Sequence, residues 1–192
     1  MADSTFPVVA RPDVTTAVIT PQYAGGVERQ RDLVRADDRV RHSGLVSVSW
    51  FASTDGESVL TYAQWADEPV GETGVRYRLY RSLARTDEAR VPGCLVTAVF
   101  DVDGPERQRT FVDSLIAALP DEDGHPGAIS AHFHLSTDGT RVLNYTEWTT
   151  EQAHLEATES GNHDELYEIF AGTPGVRPLR GLRYHLLDSW ST

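Results

Sequence analysis

The sequence predicts an α+β fold made of two tandem repeats, and three observations predict it. The phrase SWFASTDGESVLTYAQW at 49–65 returns 83 residues later as HFHLSTDGTRVLNYTEW at 132–148. Flanking phrases return as well: ERQR at 28–31 recurs at 106–109, and GVRYRLYRS at 74–82 answers GLRYHLLDS at 181–189. Hydrophobic residues make up 40% of the 192-residue chain and charged residues 24%, which suits a packed core. Self-similarity at a fixed spacing has to be recognised before any fold is assigned. The offsets between the paired phrases are 78, 83 and 107 residues, so repeat 2 carries extra residues before its hairpin and many more after it.

Each repeat opens with a β run, Thr16 to Tyr23 and Leu95 to Val102. A helix follows, about Val27 to Ala36 and about Pro105 to Leu119, and Pro105 after Asp103-Gly104 suits a helix start. A hairpin around Ser-Thr-Asp-Gly comes next, and a last strand closes the repeat. Repeat 2 adds helical sequence between hairpin and last strand. Thr149-Thr150-Glu151-Gln152 has the form of a capping box, and Asp164 to Ala171 reads as a further helical turn or two. Repeat 2 is therefore β-α-β-β-α-β, a ferredoxin-like unit, spanning residues 93–192. Repeat 1, residues 1–92, lacks the second helix. Its link from Trp65 to Val75 is near the ~10-residue floor for a crossover, so it runs extended or its last strand pairs elsewhere.

Composition excludes several function classes. A formal net charge of −12 repels phosphate, which argues against nucleic acid and anionic membrane as partners. Cys94 is the one cysteine, so no intrachain disulfide forms and no CxxC metal site exists. No apolar run approaches the ~20 residues of a membrane span. MADSTFPVVARPD lacks a basic region followed by a long apolar core, which points to no signal peptide and to the cytoplasm.

The hairpin loop length decides which side chains share a face. A two-residue Asp138-Gly139 turn places His134 and Asn144 on opposite faces. A three-residue loop, Thr137-Asp138-Gly139 with glycine left-handed, pairs His134 with Val142 and His132 with Asn144. The second is preferred here, because glycine in third place suits the bulge. It puts His132, His134, Asn144 and Trp148 on one face, and Phe133, Leu135, Leu143 and Tyr145 on the other. Repeat 1 would match the apolar face with Val48, Trp50, Ala52, Leu60 and Tyr62. Two such faces on one chain bury each other, giving an intrachain pseudo-dimer with helices outside and a pocket between the repeat 2 sheet and its helices.

FHLSTDGTRVLNYTEWTTEQAH and DVDGPERQ resemble the antibiotic biosynthesis monooxygenase family, and most of all its small quinone-forming members from actinomycete aromatic polyketide pathways. The resemblance covers all of repeat 2 and, less well, repeat 1. It implies a dimeric α/β-barrel arrangement and oxidation of a phenolic anthrone to a quinone, with O2 as co-substrate and no flavin, haem or metal. By position it makes Asn144, Trp148 and His134 the site residues. The family tyrosine six residues after the tryptophan is His154 here, and a helix arginine is matched by Tyr167. Repeat 1 keeps Trp65 but has Phe51 for the histidine and Thr61 for the asparagine.

Such a reaction needs a base, a donor for the developing oxyanion, and exclusion of water. His134 or His154 is the candidate base, the Asn144 amide the oxyanion donor, and Trp148 a flat wall with an indole N–H. His132, Tyr167 and Arg183 are candidate substrate-lining residues. Packing competes with function at Trp148, since Trp65 repeats it. The four histidines His132, His134, His154 and His163 follow no zinc spacing, so no metal is assigned. The expected partner is a small aromatic polyketide, and pairing of two tandem chains stays open. A polyketide cyclase or isomerase, a non-catalytic accessory binding protein, and a haem-degrading enzyme are the alternatives.

Overall fold

The computed structural model describes residues 5–85, 87–119, 125–160, 168–169, 171–179 and 181–192. The chain divides into two compact units, Met1–Leu79 with Leu182–Thr192, and Tyr80–Gly181. The first contains β1 (Thr16–Tyr23), α1 (Val27–Ala36), a 3-10 turn at Arg39–Arg41, β2 (Leu45–Ser53), β3 (Ser58–Trp65), the first half of β4 (Val75–Ala84) and β9 (Leu182–Ser191). The second contains β5 (Cys94–Val102), α2 (Pro105–Ala117), β6 (Ala128–Ser136), β7 (Arg141–Trp148), α3 (Glu151–Ser160) and β8 (Val176–Pro178). In the first unit β3 is flanked antiparallel by β1 and β2, β4 pairs with β1, and β9 pairs with β2. In the second, β7 is flanked antiparallel by β5 and β6, and β8 pairs with β5. This is the α+β, ferredoxin-like arrangement expected from the repeats.

The division differs from the repeat boundary at residues 92 and 93, and the last strands are the reason. β9, which belongs to repeat 2 by sequence, covers the edge of β2 in the first unit, from Ser47 opposite Ser191 to Ser53 opposite Tyr184. An edge strand presents unpaired N–H and C=O groups, and β9 satisfies them. β4 runs the other way: Val75 to Tyr77 pair with β1, while the chain from Tyr80 onward belongs to the second unit. Between Trp65 and Val75 there is no helix, as the short link demands.

The repeated phrases have a structural purpose. Ser136 Oγ accepts the backbone N–H groups of Thr140 (3.2 Å) and Arg141 (2.8 Å) and donates to Asp138 Oδ1 (2.7 Å). In the first unit Ser53 Oγ accepts from Ser58 N (2.9 Å) and donates to Asp55 Oδ1 (2.6 Å). Gly56 and Gly139 take the left-handed conformation, with φ of 77° and 78°. The ERQR glutamines are both buried and both point to the hairpin. Gln30 Nε2 donates to Ser58 O (3.3 Å); Gln108 Nε2 donates to Ser136 O (3.2 Å) and Arg141 O (2.7 Å). One buried amide thus fastens each first helix to its hairpin.

The loop itself corrects the expected register. Leu135 pairs with Val142, His134 with Leu143, Phe133 with Asn144 and His132 with Tyr145. Four residues, Thr137 to Thr140, lie between β6 and β7 instead of three. Thr140 is drawn into the loop because Ser136 Oγ and Asp138 Oδ1 both accept its N–H. One added residue reverses the relative facing of the two strands. Asn144, Thr146 and Trp148 therefore share a face with Phe133 and Leu135, and His132 and His134 share the other with Leu143 and Tyr145. The first unit has the matching register, Trp50 opposite Thr61 and Phe51 opposite Leu60. Its two faces accordingly carry Val48, Trp50 and Ala52 on one side and Leu60 and Tyr62 on the other.

Each helix-facing side closes its own core. Val48, Trp50, Val59, Ala63 and Trp65 pack with Leu33 and Val34 of α1 in the first unit. Phe100, Phe133 and Val142 pack with Phe111 and Val112 of α2 in the second. Among the described residues no helix is long and apolar enough to cross a membrane.

Replacing Ser136 with Ala leaves the Arg141 N–H without this acceptor, and takes away one of two acceptors of the Thr140 N–H and one of three of Gln108 Nε2. A loss of about 1–3 kcal/mol is expected, read by urea unfolding, with Ser53→Ala giving a loss of similar size in its own hairpin.

Candidate functional site

The helix-facing side of the second unit holds three of the sequence-predicted residues. Asn144 stands on the central strand β7, between Ala98 on β5 and Phe133 on β6. Its Oδ1 is buried and has no hydrogen-bond partner among the described residues. Trp148, four residues on, is opposite Cys94 on β5 and Ala128 on β6. Its indole N–H donates to Thr146 Oγ1 (3.1 Å), so the sheet already uses the donor expected to face a ligand. What Trp148 presents is its ring. His154 of α3 meets that ring edge-on, with centroids 5.0 Å apart and planes at 79°.

Local sequence explains why α3 sits there. Thr150 Oγ1 accepts the N–H of Ala153 (3.1 Å), so Thr150 is the cap and not Thr149, and no Glu or Gln occupies the reciprocal position. Gly127 admits the helix: a Cβ built on it would lie 2.4 Å from Ala153 Cβ. His154 follows Ala153 and so arrives over Trp148.

A residue that the sequence reading passed over also belongs here. His125 meets Trp148 with ring centroids 5.8 Å apart, and its Nδ1 accepts the Gly127 N–H (3.1 Å). In neutral imidazole that bond leaves the proton on Nε2. Trp148 thus has a histidine from the β6 approach and another from α3. The signal was present in the sequence, as His42-Ser43-Gly44 returns at the same 83-residue offset as His125-Pro126-Gly127. His42 likewise meets Trp65, at 6.3 Å.

The remaining candidates are placed elsewhere. His134 is fully buried on the face opposite Asn144. Burial, reinforced by the neighbouring His132, pushes its imidazole down to about 3. His132, beside it, is pushed down to about 4 by burial, and its Nδ1 is 2.8 Å from Ser82 Oγ. Both are neutral at ordinary pH and neither shares a face with Asn144, which corrects the expected cluster. Glu147, on that same face, is held above the usual carboxylate range by burial, partly offset by a hydrogen bond from Ser130 Oγ (2.7 Å). Arg183 lies on β9 in the first unit and is not brought together with Asn144 in one unit. Tyr167 and His163, with most of the expected 164–171 helix, lie outside the described residues. Among the described residues no group of three or more His, Cys, Asp or Glu side chains is placed to hold a metal ion.

The first unit presents different residues on the equivalent face. Thr61 stands where Asn144 does, and Trp50 replaces Phe133, its indole donating to Asp37 Oδ2 (2.8 Å). Asp37 also accepts from Arg39, whose Nε bonds Glu72 (2.8 Å), so a large indole tied to an ionic network fills the space under α1.

Comparison with known proteins agrees with this fold. Residues 95–168 match the family described as antibiotic biosynthesis monooxygenase. That match lies within the second repeat. Over 54 residues the chain is 48% identical to the tetracenomycin-F1 monooxygenase of Streptomyces glaucescens, which is 28% of this chain and 47% of that protein. The chain therefore matches about half the length of this relative. An anthrone oxidase-like protein superposes with a TM-score of 0.70 at 19% identity, covering 96% of each chain. A ferredoxin-fold protein from Listeria monocytogenes, related to antibiotic biosynthesis monooxygenases, superposes with a TM-score of 0.59 at 16% identity, covering 91% of this chain and 95% of that one. These structural likenesses extend the fold over both repeats, beyond the monooxygenase match itself.

The two buried histidines predict a pH dependence. A group that is neutral in the fold but protonates freely when unfolded stabilises the native state above the unfolded value, ~6.5. That contribution is lost as pH falls from there toward about 4 for His132 and about 3 for His134. Replacing His134 with Phe, the residue repeat 1 has at Phe51, is expected to move the acid-unfolding midpoint to lower pH in circular dichroism. An unmoved midpoint would show that His134 is not the group whose protonation unfolds the chain.

Proposed function

We propose that the second unit is a cofactor-free monooxygenase that oxidises a phenolic, anthrone-like polycyclic polyketide intermediate to a quinone, with O2 as co-substrate. The observation that carries this reading is the Asn144 carboxamide. A buried oxygen without a partner costs about 1–3 kcal/mol, and here it stands among apolar side chains on the helix-facing side of the sheet. A bound phenol would satisfy it, donating its O–H to Oδ1, while the amide N–H donates to the oxyanion that forms as the substrate loses a proton. The Trp148 ring supplies a flat wall for a fused-ring substrate.

His154 is the base in this scheme, since His134 lies on the other face and burial makes its imidazole a weak proton acceptor. It takes a proton from the reacting CH2, and the carbanion is delocalised as a phenolate. One electron passes to O2, and the radical pair joins to form a C–O bond. The distal peroxide oxygen takes a proton back from His154. Loss of the second C–H proton with cleavage of the O–O bond leaves C=O and releases water, so CH2 and O2 become C=O and H2O. Enolisation in a cyclase would use the same base and amide but would consume no O2.

The tandem chain is proposed to be a fused counterpart of a two-chain unit, with chemistry kept in repeat 2. The 83-residue recurrence and the assignment of β9 to the first unit support that reading.

Metal-stripped protein incubated with dithranol or emodin anthrone is expected to take up O2 and form quinone well above the autoxidation control. Asn144→Ala is expected to lower kcat by about 10²-fold or more, and His154→Ala by a similar factor. His134→Phe should keep the rate within a few-fold of the parent. Turnover without O2 uptake would favour a cyclase, and no turnover would favour a binding protein.

A further inference from the structure

The first unit contains a cleft of about 640 Å³ beside Trp65, lined by His42, Asp67, Glu68, Pro69 and Val70 among others. Its origin lies in the difference between the repeats. In the second unit α3 comes down over this position, with Ala153 against Gly127 and His154 on Trp148. In the first, the link after Trp65 is too short to form that helix, and Gly44, the counterpart of Gly127, has open space where its Cβ would be. The vacated volume is within the range of small-molecule sites.

Its walls are unlike those around Asn144. Asp67 is exposed at the rim and makes no hydrogen bond or ion pair with any described residue. Glu68 is oriented by Thr16 Oγ1 (2.9 Å) and by Arg76 Nε (3.3 Å). The floor is Trp65, 3% exposed, whose indole N–H is buried without a partner. Trp148 gives its own N–H to Thr146, but the matching position here is Ala63, so the Trp65 donor is left unsatisfied.

We propose that this cleft is a second binding site, and that it takes a small organic cation carrying an ammonium group on an apolar body. The ammonium pairs with Asp67, within the field of Glu68 and of a chain whose net charge is −12. The apolar body lies against Trp65, Pro69 and Val70, where an aromatic ring also favours a cation. An oxygen on the ligand would satisfy the Trp65 N–H. The site is independent of the chemistry assigned to the second unit, since every residue lining it belongs to the first.

The test is titration of the ¹⁵N-labelled chain with benzylamine, and with benzyl alcohol as a neutral isostere, at low ionic strength. The chain has four tryptophans, so four indole N–H signals. Trp65 is assigned by replacing the other three singly with Phe. Benzylamine is expected to shift the Trp65 signal saturably, with benzyl alcohol at least tenfold weaker. Asp67→Asn should weaken benzylamine about tenfold, and Asn144→Ala should leave it within twofold. No shift at Trp65, equal shifts with both probes, or an Asp67→Asn variant that binds as well as the parent would overturn the proposal. Failure of the anthrone assay would not affect it.

Discussion

The Ser136 hydroxyl is the constraint on which the candidate site depends. By accepting the N–H groups of Thr140 and Arg141 it extends the β6–β7 loop to four residues. Strand register then follows, and register decides which residues look toward the helices. Asn144, Thr146 and Trp148 are carried to the helix-facing side together, and His132 and His134 are carried away from it. The Gln108 amide fastens the same serine to α2, so the helix that covers the sheet and the hairpin that aims its side chains are held by one group of hydrogen bonds.

The two units share this device and differ in what surrounds it. Each keeps a histidine against its terminal tryptophan, His42 with Trp65 and His125 with Trp148. That repetition marks the pair as part of how the β2 and β6 strands begin. The side chains diverge further along the face. In the second unit α3 brings His154 to Trp148, and Asn144, four residues back along β7, has an unsatisfied oxygen. In the first unit Trp50 and its Asp37–Arg39–Glu72 network occupy the space under α1, while the absence of a second helix leaves the cleft at Trp65 open. One half has a filled face and an open end; the other has a polar amide on its face and a helix over its end.

Histidine placement shows why sequence reading of the site was partial. His132 and His134 alternate with apolar residues as a ligand-facing pair would, but alternation alone does not say which face meets the helices. Deep burial is the outcome, and it pushes the His134 imidazole down to about 3, which makes it a weak proton acceptor. His125 was missed for the opposite reason. It lies seven residues before the motif, in a turn, and only the folded hairpin brings its ring to Trp148.

The sequence by itself determined the repeats, the first helix of each, the left-handed glycine of each hairpin and the missing helix of repeat 1. Those features follow from local spacing, caps and chain length, all of which are readable along one dimension. The tertiary structure alone decided the face on which each histidine lies, the use of the Trp148 N–H by Thr146, and the assignment of β9 to the first unit. The last turns on pairing between strands far apart in sequence, and the first two on side-chain bonds two to five residues apart whose geometry only the folded strands set. A single serine hydroxyl that captures one more N–H is enough to reverse a face that composition leaves undetermined.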